Sequence, residues 1–195
     1  MIQEVARREF VASGYHAVSV RNLARKAGLS LSVLYHYYSS KQELLYDLLI
    51  DVVDDFYCLL RCRPDEMGND TGPVRQLMAL VESTVEYRAY LPEESLLLIR
   101  EMRNLESPYT EFLKERRREA VAIYATAIDR GVEAGVFTTP YPADARRAIF
   151  AMLDAIPNWY RRTGDVTVDM LIKRYQRLAL AAVEHNGSFD NVEDL

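Results

Sequence analysis

A chain of 195 residues, 49% hydrophobic and 27% charged with a net charge of −5, has an ordinary globular composition and enough length for one large core or two small ones. No apolar run reaches the ~18–20 residues that a membrane span needs, and the opening MIQEVARREF lacks the apolar stretch of a secretory signal. A soluble cytoplasmic protein is the expectation these exclusions leave.

The charge is unevenly placed. Residues 1–50 carry Arg7, Arg8, Arg21, Arg25, Lys26 and Lys41 against Glu4, Glu9, Glu43 and Asp47, a balance of +2, which leaves −7 for the rest. A slightly basic first quarter on an acidic body suits a chain that meets a polyanion at one end.

In chain order, Ile2, Val5, Ala6 and Phe10 keep helical spacing until Gly14 ends the run. Ser19 is placed to cap a short helix whose stripe is Val20, Leu23, Ala24 and Ala27, and Gly28 follows as a sharp turn. Ser30 is a second cap, opening a segment that runs through Tyr38. A longer helix begins near Lys41, with Leu45, Leu48, Leu49, Val52, Phe56, Leu59 and Leu60 on one face. Cys58 and Cys62 lie on it one turn apart. They are expected to be packing thiols, since a disulfide within a helix has poor geometry. His16, His36 and His185 stand in no ligand spacing to them, so neither a metal nor a cofactor is expected.

Turn-rich PDEMGNDTGP (64–73) interrupts the chain. Helical patterns then fill 73–89, 93–104, 108–134, 142–162 and 167–186, separated by Pro92, Ser107-Pro108, Gly135 with Pro140 and Pro142, and Gly164. Leu96-Leu97-Leu98-Ile99 is apolar around the whole helix, which predicts a central position. No period-2 alternation persists long enough for a sheet. The expected fold is all-α, with nine helices in two domains: an N-terminal three-helix helix-turn-helix domain and a C-terminal helical bundle. The predicted boundaries are 1–40 for the first domain and 41–186 for the second, with 41–62 as connector, and 187–195 as a loose acidic tail.

The two short capped helices joined through Ala27-Gly28-Leu29 have the proportions of a helix-turn-helix. The second contains Tyr35-His36-Tyr37-Tyr38 in an unbroken row, and successive residues turn by ~100°, so four rings cannot all face one core. Leu34 and Tyr38 are expected to pack down. Ser32, Val33, His36 and Tyr37 then project outward, with Leu31 and Tyr35 on the border. Such a face suits a major groove: serines and His36 hydrogen-bond base edges or phosphates, and Leu31 or Val33 touch a thymine methyl. Lys41, Ser19 and Arg21, at helix starts, are candidates for phosphate contact.

The stretch FVASGYHAVSVRNLARKAGLSLSVLYHYYSSKQELL resembles the DNA-binding domain of the TetR family of bacterial transcriptional regulators. The shared features are the aromatic and Gly-Tyr of helix 1, a serine before the short helix, Ala-Gly-Leu-Ser at the turn, Leu-Tyr-His-Tyr, then Ser-Lys and leucines. The resemblance implies DNA contacts at Ser19, Arg21, Ser30, Ser32, Val33, Tyr35, His36, Tyr37 and Lys41. Leu31 is also a candidate contact, standing where a polar or basic residue is common, and Tyr38 replaces the usual Phe. Helix 1 starts almost at residue 1, so no basic arm is expected before it.

The resemblance further implies a homodimer on a palindromic double-stranded operator, its interface built from the last two helices. Ala148, Met152, Ala155, Leu171, Tyr175, Leu178 and Ala182 are the apolar candidates there, although the same periodicity suits helices that only close the monomer core. It also implies a small-molecule effector inside the bundle. Phe56, Tyr87, Leu98, Met102, Phe112, Tyr124, Phe150, Trp159 and Tyr160 are the candidate pocket residues, each of a type found more often in a plain core, and Arg161 is a candidate at the cavity mouth, although an arginine on a helix surface is usually just solvated. NWYRRTGDVTVDML (158–171) is similar to the junction before the last helix in TetR-type regulators of fatty-acid and sterol catabolism. That similarity suggests an apolar or acyl-CoA-type ligand, such as a fatty or sterol acyl-CoA, that releases a repressor. The alternative is a TetR-like DNA-binding factor with no small effector, controlled by a protein partner. No enzyme motif is present: no GxGxxG, P-loop, G-x-S-x-G or H-E-x-x-H.

Overall fold

The computed structural model describes residues 1–66 and 72–187, without the side chains of 63–66. The described residues form nine α-helices: α1 (Ile2–Ser13), α2 (Val20–Lys26), α3 (Leu31–Tyr37), α4 (Lys41–Glu66), α5 (Pro73–Tyr90), α6 (Pro92–Glu101), α7 (Tyr109–Glu133), α8 (Pro142–Trp159) and α9 (Val168–Ala182). A 3-10 turn, Met102–Asn104, extends α6. No strand occurs among the described residues, only an isolated bridge between Phe137 and His185. The expected nine-helix, all-α fold is therefore the observed one.

The chain divides into two compact units. The first comprises Met1–Asp55 and Leu91–Arg117; the second comprises Phe56–Tyr90 and Arg118–Leu195. Within the first unit, α1 packs on α2 and α6, and α2 on α3. Ala6, Phe10, Leu23, Ala24 and Leu34, which share the inward faces of the first three helices, are buried. The turn between α2 and α3 is set by backbone chemistry. Leu29 N–H reaches Ala24 O at 2.9 Å and Gly28 N–H reaches Arg25 O at 3.2 Å, while Gly28 holds φ +67°. This is the paired-bond stop that glycine allows after a helix.

In the second unit, α5 packs against α8 and α9, and α8 against α9. Leu77, Leu80, Val81 and Val85 of α5 meet a core that includes Ile149, Leu153, Ile156, Leu171, Ala179 and Leu180. Gly131 in α7 is there for space: a β-carbon on it would lie 2.0 Å from Phe137 Cδ2. Phe137 begins the segment that closes the fold, where Thr138 and Thr139 N–H donate to Glu184 O and Val183 O.

Those two bonds explain one difference from expectation. The sequence pattern carries the last helix to 186, but it stops at Ala182, because Glu184 turns to φ +52° and the carbonyls of 183 and 184 pair sideways instead of along the axis. Likewise α8 stops at Trp159 instead of 162, with Tyr160 extended. Of the four apolar residues of α6, Leu97 and Leu98 are buried while Leu96 and Ile99 are half-buried, so this helix is covered mainly on one side. The cysteines also differ from expectation: Cys58 and Cys62 are both exposed, their sulfurs 3.7 Å apart. The break expected over 64–73 is narrower than that, since α4 runs on to Glu66 and α5 starts at Pro73; residues 67–71 and the tail from 188 lie outside the described residues.

Candidate nucleic-acid interface

Each short helix of the reading pair starts on a serine. Ser19 Oγ accepts from Asn22 N–H at 3.2 Å and Ser30 Oγ accepts from Val33 N–H at 3.2 Å. Without these caps a seven-residue helix would leave its first amides unpaired at both starts. Ser32 Oγ sits 2.9 Å from Ser30 Oγ, continuing the polar edge.

The row of four rings is divided as its helical angles require. Leu34 is 1% exposed, whereas Tyr35 is 49% and Tyr37 67% exposed. Ser32, Val33 and His36 are exposed too, and His36 stacks edge-on against Tyr37 at 5.5 Å. Tyr38 turns inward, its hydroxyl donating to Asp47 of α4 at 2.9 Å. Gln3 of α1 donates to the same carboxylate. Burial and this bond push the Tyr38 phenol up to about 12. Leu31 is half-buried at the start of the face, and Arg21 is exposed in the first turn of α2.

Lys41 departs from expectation. Its ammonium donates to Tyr15 O and lies 3.9 Å from the centre of the Tyr15 ring. Burial also pulls its pKa below the ordinary lysine value. A phosphate-seeking cation needs a free head, and this one is spent inside the protein. In the first turn of α4 the Glu43 N–H is engaged by Ser40 Oγ, and Ser39, just before the helix, donates through both N–H and Oγ to the Glu43 carboxylate. The sequence put lysine at a helix start; it could not show that Tyr15, twenty-six residues earlier, takes it.

A second feature the sequence did not reveal is a polar network that joins α1, the loop before α2 and the start of α4 to α6. Glu101, buried at the end of α6, accepts from Tyr15 N–H at 3.1 Å and from Asn104 Nδ2 at 2.7 Å. Gln42 donates to Tyr15 Oη and to Asn104 O, each at 2.9 Å, and accepts from Glu106 N–H at 3.0 Å. Arg7 pairs with Glu94 at 2.6 Å. Each partner is at least sixty residues distant along the chain except within the Tyr15–Gln42 and Asn104–Glu101 pairs, so no local pattern carried the signal.

The candidate pocket residues do not form one set. In the first unit Leu98 is buried, Met102 half-buried and Phe112 exposed. In the second, Phe56 lies 5.2 Å from Tyr87, and Tyr124, fully buried, lies 4.8 Å from Phe150. Tyr160 is buried with its hydroxyl donating to Val166 O, while Trp159 is 50% exposed. Arg161 donates to Tyr160 O at 2.7 Å and reaches Pro157 O and Asn158 O, which makes it the C-terminal cap of α8. Phe112 and Trp159 are thus surface residues and Arg161 serves its own helix. Arg88, absent from the candidates, is buried in this unit.

The candidate interface residues also split. Ala148 and Ala155 of α8 and Leu178 of α9 are exposed, and Met152 and Ala182 are half-buried. Leu171 and Tyr175 are buried within their own unit and belong to its core, a correction to the candidate set. Their places on the open face are taken by Ala151, Trp159 and Met170.

With this geometry in view, comparison with known proteins decides the family. The profile described as "Bacterial regulatory proteins, tetR family" matches residues 2–48, and that described as "Tetracyclin repressor-like, C-terminal domain" matches residues 70–183. The chain belongs to the TetR family of bacterial regulatory proteins. Among curated relatives of this TetR-family chain, the HTH-type transcriptional repressor KstR2 of Rhodococcus jostii (strain RHA1) is 28% identical over 189 residues, 94% of this chain and 90% of that protein. The solved structure of the ketosteroid transcriptional regulator KstR2 of Mycobacterium tuberculosis superposes with a TM-score of 0.81 at 23% identity, covering 93% of this chain and 92% of that one. The structure of AibR in complex with isovaleryl coenzyme A and operator DNA gives a TM-score of 0.80 at 19% identity, covering 94% and 97%. As a TetR-family member the chain is a DNA-binding transcriptional regulator, and its relatives are repressors rather than enzymes. No helix among the described residues is long and apolar enough to cross a membrane.

Proposed function

We propose that this TetR-family chain is a homodimeric repressor that reads a palindromic operator through α3 and leaves it when an apolar or acyl-CoA-type effector binds the helical body. Residues 1–40 read DNA, 41–62 connect, and the body to 186 holds effector and partner. Its place of action is the cytoplasm, on promoter DNA. The observation that carries the reading is the sorting of one row of rings: Leu34 sealed, Tyr35 and Tyr37 open with Ser32, Val33 and His36 beside them. Aromatic and small polar groups held outward on a capped helix are useless to the fold and fit a groove.

Ser19, Arg21, Ser30, Leu31, Ser32, Val33, Tyr35, His36 and Tyr37 make the contact surface. Lys41 supports it from beneath by fixing Tyr15. Ala148, Ala151 and Ala155 of α8 with Met170 and Leu178 of α9 leave an apolar stripe of small and medium side chains open, which supports dimerisation through these helices. Arg7 of α1, Tyr15 of the loop before α2 and Gln42 of α4 are tied to α6 and its 3-10 turn, and α1 packs on α2, so a shift of α6 would reach the reading helices through α1 and that loop. The effector class is supported by the buried aromatic body and by AibR, which was solved with isovaleryl coenzyme A.

Nuclease protection on a promoter fragment tests this. One protected site made of two inverted half-sites is expected, with protection lost on adding octanoyl-CoA. No protection at low salt would refute the reading.

A further inference from the structure

Helix α5 turns an inward stripe of Leu77, Leu80, Val81, Thr84, Val85 and Arg88 into the core of the second unit. The last member is the anomaly. Arg88 is 4% exposed, and one guanidinium nitrogen, Nη2, donates to Asp154 of α8 at 2.8 Å. The guanidinium carbon lies 5.0 Å from the centre of the Phe56 ring and 5.9 Å from that of Tyr87. Nε and Nη1 are buried without a hydrogen-bond partner. An aromatic ring is at best a weak partner for a guanidinium N–H, and buried donors left without an oxygen acceptor are costly.

The neighbouring polar groups do not absorb these donors. One turn earlier, Thr84 Oγ1 and Tyr124 Oη are 2.7 Å apart and both reach Leu80 O, at 2.9 and 2.7 Å. The two hydroxyl protons are spent within this trio, and none of its oxygens hydrogen-bonds Arg88 Nε or Nη1. What the site lacks is an acceptor.

Charge narrows what the acceptor is. Asp154 already neutralises Arg88, so a second carboxylate or phosphate brought here would be buried without compensation. A carbonyl oxygen carries the lone pairs without the charge.

We propose that Arg88, held by Asp154, is the polar anchor of the effector site and takes an uncharged carbonyl oxygen, that of a thioester or of a ketone, on an otherwise apolar ligand surrounded by Phe56, Tyr87, Tyr124 and Phe150. The inference rests on the reading that the body of this regulator houses an effector. It adds which group of the effector is recognised, and by what.

The test uses the full-length protein and two pairs of probes that differ in the carbonyl. One pair is octanoyl-CoA against its octyl-CoA thioether; the other is a 3-ketosteroid against the steroid lacking the ketone. Binding is read by calorimetry and operator release by fluorescence anisotropy. For one pair the carbonyl member binds at least about tenfold more tightly to the wild type, and which pair does so identifies the source of the carbonyl. Arg88→Met abolishes that preference. Because it leaves Asp154 without its partner, Arg88→Met/Asp154→Asn is tested beside it; removing both ends of a buried pair is tolerated. The double variant keeps operator affinity and loses the preference. Retention of the preference in the double variant overturns the proposal. So does a wild type that binds operator yet neither carbonyl probe, or that binds both members of each pair equally. Failure to bind any operator would instead sink the regulator reading itself.

Discussion

At the scale of single residues, exposure separates groups that serve the fold from groups that serve DNA. Tyr37 is 67% exposed and holds little of the protein together. Tyr37→Ala is therefore expected to cost ~1–3 kcal/mol of operator binding while shifting chain stability by less than ~0.5 kcal/mol. Anisotropy titrations and thermal melts of the same preparation check both halves. Lys41 reverses that pattern. Its ammonium on the Tyr15 carbonyl and ring makes Lys41→Ala a stability variant, with a loss of about 1 kcal/mol and an unchanged dependence of operator affinity on salt. A salt slope reduced by about one would restore the phosphate role that its position in sequence suggested.

At the scale of helices, α3 is short and depends on its straps. Tyr38 ties it to Asp47 of α4, and its phenol is raised from 10.0 to about 12 by burial and by that bond. A group whose folded value is raised favours its protonated form in the native state. The stabilisation is complete below pH 10 and disappears as pH rises through 12. The gap in stability between wild type and Tyr38→Phe, about 1 kcal/mol at pH 8, should close by pH 12, as denaturant melts across that range will report.

Most helix boundaries were legible because they are written locally: Ser19 and Ser30 before their helices, Gly14 and Gly28 after, Pro92 and Pro142 at first positions. The outward face of α3 was legible too, since one buried leucine fixes the phase of a helix. What escaped was long-range. The end of α9 depends on Thr138 and Thr139, the fate of Lys41 on Tyr15, and the tie between the loop before α2 and α6 on Glu101. Arg88 left a faint trace, an arginine in register with Thr84 and Leu77 on an apolar stripe, and burial was needed to interpret it.

At the scale of the molecule, the proposed regulator reads its operator as a pair. Leu178 is a large apolar side chain 52% exposed on α9, a helix that packs on α8 with its open alanines, and this marks it as a candidate for the dimer contact. Leu178→Glu puts a charge on that stripe and should yield the monomer mass by sedimentation. Operator affinity should fall on the order of a hundredfold, because each half-site is then bound without the effective concentration supplied by its twin. A variant that remains dimeric would move the interface elsewhere.

The claim on which the rest depends is that the exposed rings of α3 choose the DNA sequence. Selection from a pool of random duplexes, run in parallel with the wild type and with Tyr35→Ala/Tyr37→Ala, measures it directly. The wild type should enrich one inverted repeat and the double variant should enrich none, while both retain the same thermal stability. Enrichment of the same repeat by both proteins, or of no sequence by the wild type, would contradict it.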